Sequence, residues 1–294
     1  MKESNRTEPA NSPLLGLLYM CAATAFFAML DSLNKYLGQI LPIAEVVWVR
    51  YAVHLALMIV ILAPRMGWRL VQTRRPWLHV ARALSLLASS VCAVYSLRHI
   101  PVADATAIYN AAPLLIVLLS GPMLGEKVGL RRVVVACVGF IGVLIIIRPG
   151  TDAFQPASLA MVLAALSGTA YQLLSRELGV VDHPMTSLFF LGLVGTVATG
   201  LVVPFSWVPP PSIWVWLLMG LCGIVGGAGQ YLITQAYSVA PASIVAPFSY
   251  SQLIWATLAS WLIFGDVPSW WTLLGMVIVA GSGLYITRIQ RKTA

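Results

Sequence analysis

The chain has 294 residues, of which 59% are hydrophobic and only 10% charged, against roughly 25% charged residues in ordinary soluble domains. That composition excludes a soluble globular protein and reads as an integral membrane protein. The formal charge of +8 comes from eighteen basic and ten acidic side chains, scattered through short polar breaks rather than gathered in one patch, which suits a membrane surface and not a nucleic-acid ligand.

A helix needs about 20 apolar residues to cross a hydrocarbon layer of roughly 30 Å. Ten such runs are predicted in chain order, at about 13–37, 43–63, 77–98, 103–123, 131–148, 157–177, 185–206, 212–236, 241–264 and 269–287. The runs are too long for barrel strands and lack period-two alternation, so the fold class is all-α, with ten transmembrane helices. The first run is longer than a signal-peptide core and lacks a small-residue cleavage pattern, so it reads as a retained helix. With the N-terminus in the cytoplasm, thirteen lysines and arginines fall on the inner side. Lys35, Arg98 and Arg148 fall outside, and Arg50 and Arg82 lie within spans. The bias predicts both termini cytoplasmic and an even helix count.

The chain also repeats itself. "DSLNKYLG" (31–38) closes one apolar run and "QLLSRELG" (172–179) closes another, pairing Asp31 with Gln172 and Lys35 with Arg176. Further on, a gapless shift of 140 pairs Pro101 with Pro241, Asn110 with Tyr250, Ser120 with Ser260, Gly125 with Gly265 and Glu126 with Asp266. The organisation expected is a tail at 1–12, a five-helix repeat at 13–148, a second at 157–288 and a tail at 289–294. An odd number of crossings per repeat inverts one half relative to the other, a recurring plan of secondary transporters.

Ten helices in a five-plus-five repeat, "GE" after the fourth helix echoed by "GD" after the ninth, and "VWVRYAV" in the second resemble the EamA-type branch of the drug/metabolite transporter superfamily. The resemblance covers essentially the whole chain. It implies export of small metabolites and is nearest to bacterial exporters of amino acids, aromatic ones included. It also implies that helices 1–4 and 6–9 surround a central cavity, with helices 5 and 10 outside.

An ionised side chain at a helix centre costs about 2.5–3.5 kcal/mol, so each must find a partner, a wet cavity or an interface. Arg50 lies deep in the second span with His54 one turn on; it reads either as a cavity cation for a substrate carboxylate or as a structural partner of Glu45 or Asp31. Asp31 and Lys35 are four apart, which predicts a salt bridge within the helix, although Asp31 also shares a polar stripe with Asn34. The third span carries a stripe through His79, Arg82 and Ser89; Arg82 is near enough to the helix end to snorkel, and both charged groups read as gate candidates. Tyr109 and Asn110 in the fourth span, Tyr171 and Gln172 in the sixth, Gln230 in the eighth, and Tyr250, Gln252 and Trp255 in the ninth offer hydrogen bonds and cation–π faces. Interhelical packing is the alternative reading for each. Gly220, Gly223, Gly226, Gly227 and Gly229 suggest close packing of the eighth span, and Pro113 and Pro247 mark flexing points.

Cys21, Cys92, Cys137 and Cys222 show no metal-ligand spacing, and no cofactor is expected. No P-loop, nucleophile elbow or paired His/Glu motif is present, so ATP coupling and catalysis have no motif behind them. The expected function is a secondary exporter of amino acids or similar metabolites, not an enzyme, with the lipid bilayer and a small solute as partners. Proton coupling would need a titrating group among Asp31, Glu45, Asp104, His54 and His79. A polytopic enzyme acting on a lipid-linked substrate is the alternative, as is an exporter of drugs or other metabolites on the same fold.

Overall fold

A computed structural model describes residues 13–124, 129–151, 154–178 and 182–293. Gly125, Glu126, Lys127 and Gly179, which carry part of the repeat pattern, and Lys2 and Arg6 of the basic bias lie outside the described residues.

The helices are α1 (Pro13–Ile40), α2 (Ile43–Met66), α3 (Pro76–Leu97), α4 (Val102–Tyr109), α5 (Ala112–Leu124), α6 (Leu130–Ile147), α7 (Ala157–Leu178), α8 (Pro184–Gly200), α9 (Ile213–Val239), α10 (Ala242–Val245), α11 (Ser251–Phe264) and α12 (Trp270–Thr293). Among the described residues, nine helical stretches are long and apolar enough to cross a membrane, α4 and α5 forming one of them. The ninth predicted span is α10, a 3-10 turn at Ala246–Tyr250 and α11 in series. Prolines set many of the starts: Pro76 and Pro184 occupy first helical turns, where the missing amide costs nothing. The last helix, α12, runs on through Thr293.

Two spans are interrupted at matched places. Pro113 has no amide to offer the Tyr109 carbonyl, and the chain tightens there, with Ala111 N–H bonding the Ile108 carbonyl at 3.1 Å. Asn110 bonds back to the Thr106 carbonyl twice, through its amide at 2.9 Å and its Nδ2–H at 2.8 Å. In the second half Pro247 sits in the 3-10 turn. There Ser249 and Ser251 hydroxyls donate to the Ala246 and Phe248 carbonyls. The shift of 140 that aligns the sequence pairs residue 110 with residue 250, so the two interruptions fall at corresponding positions of that alignment.

Packing has the same exchange pattern. α1 runs along α9 and α3 along α7; α2 pairs with α8, and α6 with α12. Exchanging the first five spans for the second five maps each pairing onto another or onto itself. The peripheral pair α6 and α12 touches backbone to backbone where Gly142 and Gly275 face each other, the close approach that small residues permit in membranes. Lys35, near the end of α1, bonds Asp266, just before α12, so the start of α1 and the end of α12 share one face of the bundle. That face is called terminal below, and the other distal.

Candidate functional site

Where the interrupted spans cross the paired helices they enclose a cavity of about 980 Å³. It runs from Asn34, Leu97 and Ala105 to Arg176, Tyr237 and Ser238 toward the terminal face. On the distal side it is closed by Leu37, Ile100 and Val102, all buried, and by the ion pair of Lys35 Nζ with Asp266 Oδ2 at 2.6 Å. Gly265, at φ +70°, turns the chain after α11 and aims Asp266 at this lysine. The Lys35 ammonium also lies 4.6 Å from the centre of the Phe264 ring. The salt bridge expected between Asp31 and Lys35 is therefore not formed; the longer reach across to Asp266 replaces it.

Asp31 instead faces the cavity. Its Oδ2 accepts hydrogen bonds from Gln252 Nε2 at 3.2 Å and Thr106 Oγ1 at 3.4 Å, and it is close enough to Arg50 to interact electrostatically. Arg50 lines the same cavity. Its guanidinium lies 5.0 Å from the Tyr51 ring centre, and among the described residues no carboxylate reaches it within ion-pair distance. Glu45, its alternative partner, is fully buried elsewhere and accepts the Val208 amide at 3.2 Å. Of the carboxylates that could pair with Arg50, Glu45 is thus engaged elsewhere and Asp31 is within electrostatic reach across the cavity.

Neighbouring glycines explain how bulky polar groups fit between helices. A Cβ on Gly227 would come within 3.0 Å of His54 Nδ1, and one on Gly192 within 2.9 Å of its Cδ2. His54 is thereby wedged between α8 and α9, with Nε2–H donating to the Leu188 carbonyl at 3.2 Å. Gly223 accommodates Val53 and Gly229 the Phe27 ring, whereas Gly220 has nothing within 4 Å. The glycines of α9 thus serve close packing, and α9 stays one continuous helix.

Arg82 does not snorkel to the surface. It is 5% exposed and donates from Nε to Ser175 Oγ at 2.6 Å, from one terminal nitrogen to the Ser187 carbonyl at 2.9 Å, and from the other to the Tyr171 hydroxyl at 2.9 Å. Asn34, Tyr109, Asn110, Tyr171, Gln172, Gln230, Tyr250 and Gln252 also line the cavity. Trp255 does not; it is 40% exposed on the outside of α11. His79 is also elsewhere. It is fully buried, stacked on Phe190 with centroids 4.8 Å apart, and its Nε2 meets Asp182 Oδ2 at 2.9 Å.

Asp182, unremarked in the sequence, ties three segments together at the terminal face. It accepts from Thr73 Oγ1 at 2.6 Å and from the Arg74 amide at 3.4 Å besides its contact with His79. Burial works to raise its carboxyl, but those hydrogen bonds and the nearby imidazole prevail and hold it below the ordinary aspartate range. Tyr51 was also missed. It lines the cavity and donates or accepts with Ser90 Oγ at 3.1 Å; an aromatic ring directly beside an intramembrane arginine was the available signal.

A bundle of membrane-spanning helices, two of them interrupted, around a cavity with polar groups at mid-depth defines a membrane transporter. The chain belongs to the EamA-like transporter family, whose profile it matches twice, over residues 14–148 and 155–288. It is 33% identical over 283 residues to the riboflavin transporter of Vibrio cholerae, spanning 95% of both chains. It is 28% identical over 283 residues to the S-adenosylmethionine uptake transporter of Rickettsia prowazekii, again over 95% of both. A solved crystal structure 20% identical in sequence shares the fold, with a TM-score of 0.67 over 95% of this chain and 98% of its own. Neither relative is named for a free amino acid, although S-adenosylmethionine carries the amino-acid end of methionine.

Proposed function

We propose that this protein is a secondary transporter that exports amino acids, aromatic ones among them, and related ring-bearing metabolites across the bacterial inner membrane by alternating access, with both termini in the cytoplasm. The observation that carries the reading is the Arg50 guanidinium, which lines the cavity beside Asp31 with no carboxylate among the described residues within ion-pair distance. An α-amino acid brings a carboxylate for Arg50 and an ammonium for Asp31, and the rings of Phe27, Tyr51 and Tyr109 around them suit a flat hydrophobic body.

The volume of about 980 Å³ also accommodates solutes well above amino-acid size, in keeping with the larger molecules named for the two relatives. The cavity extends to the terminal face, so with that face cytoplasmic the solute loads from inside. The two halves, read as inverted repeats, would exchange conformations to release it outside. The solute leaves unchanged, and the energy comes from a gradient.

Purified protein in liposomes, screened for uptake of the twenty amino acids, riboflavin and S-adenosylmethionine, tests the assignment. Transport of one or more aromatic amino acids, reduced at least tenfold by Arg50→Ala, is the expected outcome. Transport confined to solutes that lack a carboxylate, or indifferent to Arg50, contradicts it.

A further inference from the structure

Arg82 poses a separate problem of charge. Three of its five N–H groups are taken, all by neutral acceptors: a serine hydroxyl, a tyrosine hydroxyl and a backbone carbonyl. Its guanidinium carbon also lies 4.6 Å from the Tyr171 ring centre. No carboxylate among the described residues lies within ion-pair distance, although Asp182 is held one turn away by His79. A 95% buried cation with neutral partners alone is costly. Those partners fix its plane, and among the described residues none accepts from the second N–H of either terminal nitrogen, on a side chain that lines the cavity; a guanidinium so placed can grip a carboxylate or phosphate.

The imbalance extends to the whole cavity. Arg50 and Arg82 both line it, and among the described residues Asp31 is the only acidic side chain that does. Arg50 and Arg82 enter from opposite ends. Arg50 lies seven residues into α2 from the distal face, and Arg82 six residues into α3 from the terminal face. At 1.5 Å per residue these depths leave roughly 10 Å between them in a layer of about 30 Å.

We infer that Arg82 forms, with Tyr171, a second anion station in the cavity, so that the preferred solute carries two acidic groups, one for Arg50 and one for Arg82. The second group is a carboxylate or a phosphate ester set across a ring from the first. The inference rests on the cavity being the solute site, and it narrows the solute class to compounds with two acidic groups.

Binding to the purified protein in detergent tests it independently of transport, with phenylalanine, 4-carboxyphenylalanine and O-phosphotyrosine as probes. The second and third add a carboxylate or a phosphate across the ring, so the two arms identify which acid the station takes. At least one of them is expected to bind ten times more tightly than phenylalanine. Arg82→Gln is expected to erase that preference, and Arg82→Lys, which keeps the charge, to retain part of it. Equal binding of all three probes, no binding of any, or a uniform weakening by Arg82→Gln that preserves the preference overturns the inference. Preference for a second acidic group without any transport would instead count against the carrier reading alone.

Discussion

Asp266→Asn should unlock the distal face. The Lys35–Asp266 pair is the polar closure beyond the buried apolar plug of Leu37, Ile100 and Val102, with Lys35 9% and Asp266 36% exposed in their side chains. Hydrogen bonds to charged groups contribute about 1.5–3 kcal/mol when buried, and exposed ion pairs about 0–1. With one partner more than a third exposed, a value of about 1–2 kcal/mol is appropriate. If the pair forms only while the distal side is closed, its loss shifts the balance toward distal opening by the same energy, about tenfold for 1.4 kcal/mol. The assay places a single cysteine at Ala105, buried just inside the closure, in a background with Cys21, Cys92, Cys137 and Cys222 replaced. A membrane-impermeant maleimide applied from the distal face should then react about ten times faster in Asp266→Asn than in the parent. An unchanged rate, or acceleration from the terminal face alone, refutes the reasoning.

Further predictions concern the terminal latch, the cavity wall and the packing. Asp182 has a depressed carboxyl, so the stability it contributes is fully present above the ordinary aspartate value of about 3.9 and is lost as the pH falls through its lower, folded value. Asp182→Asn should therefore cost about 2 kcal/mol at pH 6, and its melting temperature should converge with the parent's only in stronger acid; convergence already at pH 6 speaks against the latch. Trp255→Ala, on the outside of α11, should leave solute uptake within about twofold, whereas Arg50→Ala removes at least 90% of it; equal effects would dissolve the distinction between wall and surface. A Cβ at Gly195 would lie 2.5 Å from two atoms of the buried Tyr51 ring, so Gly195→Ala should destabilise by about 1–3 kcal/mol. Gly281→Ala, with nothing within 4 Å, should not, and thermal unfolding in detergent reads both.

The spans were legible because a bilayer leaves the backbone so few options that apolar length alone nearly dictates a helix. Pro113 and Pro247 marked the two interruptions. Asp31, Arg50 and Gln172 stood out as polar groups in segments where lipid admits few, and all three line the cavity. What local rules could not supply was the choice of partner across the bundle. Spacing favoured Asp31 for Lys35, but the turn at Gly265 brings Asp266 within 2.6 Å of it from 231 residues away. Nearness to a helix end favoured snorkelling for Arg82, but Tyr171, Ser175 and Ser187 on two other helices hold it inside. Trp255 shows the limit of stripe reading. The buried side of α11 is Leu253, Ala256 and Ser260, and a residue about 100° around the helix from Ala256 faces outward.

The central claim, an alternating carrier that returns its solute unchanged, is tested most directly by counterflow. Liposomes containing the protein are loaded with an unlabelled transported amino acid, diluted into a trace of the labelled compound, and followed with ionophores collapsing every ion gradient. The account predicts a transient accumulation of chemically intact label above its equilibrium level, absent in Arg50→Ala. Entry that never overshoots equilibrium, or label recovered as a covalently altered product, would contradict it.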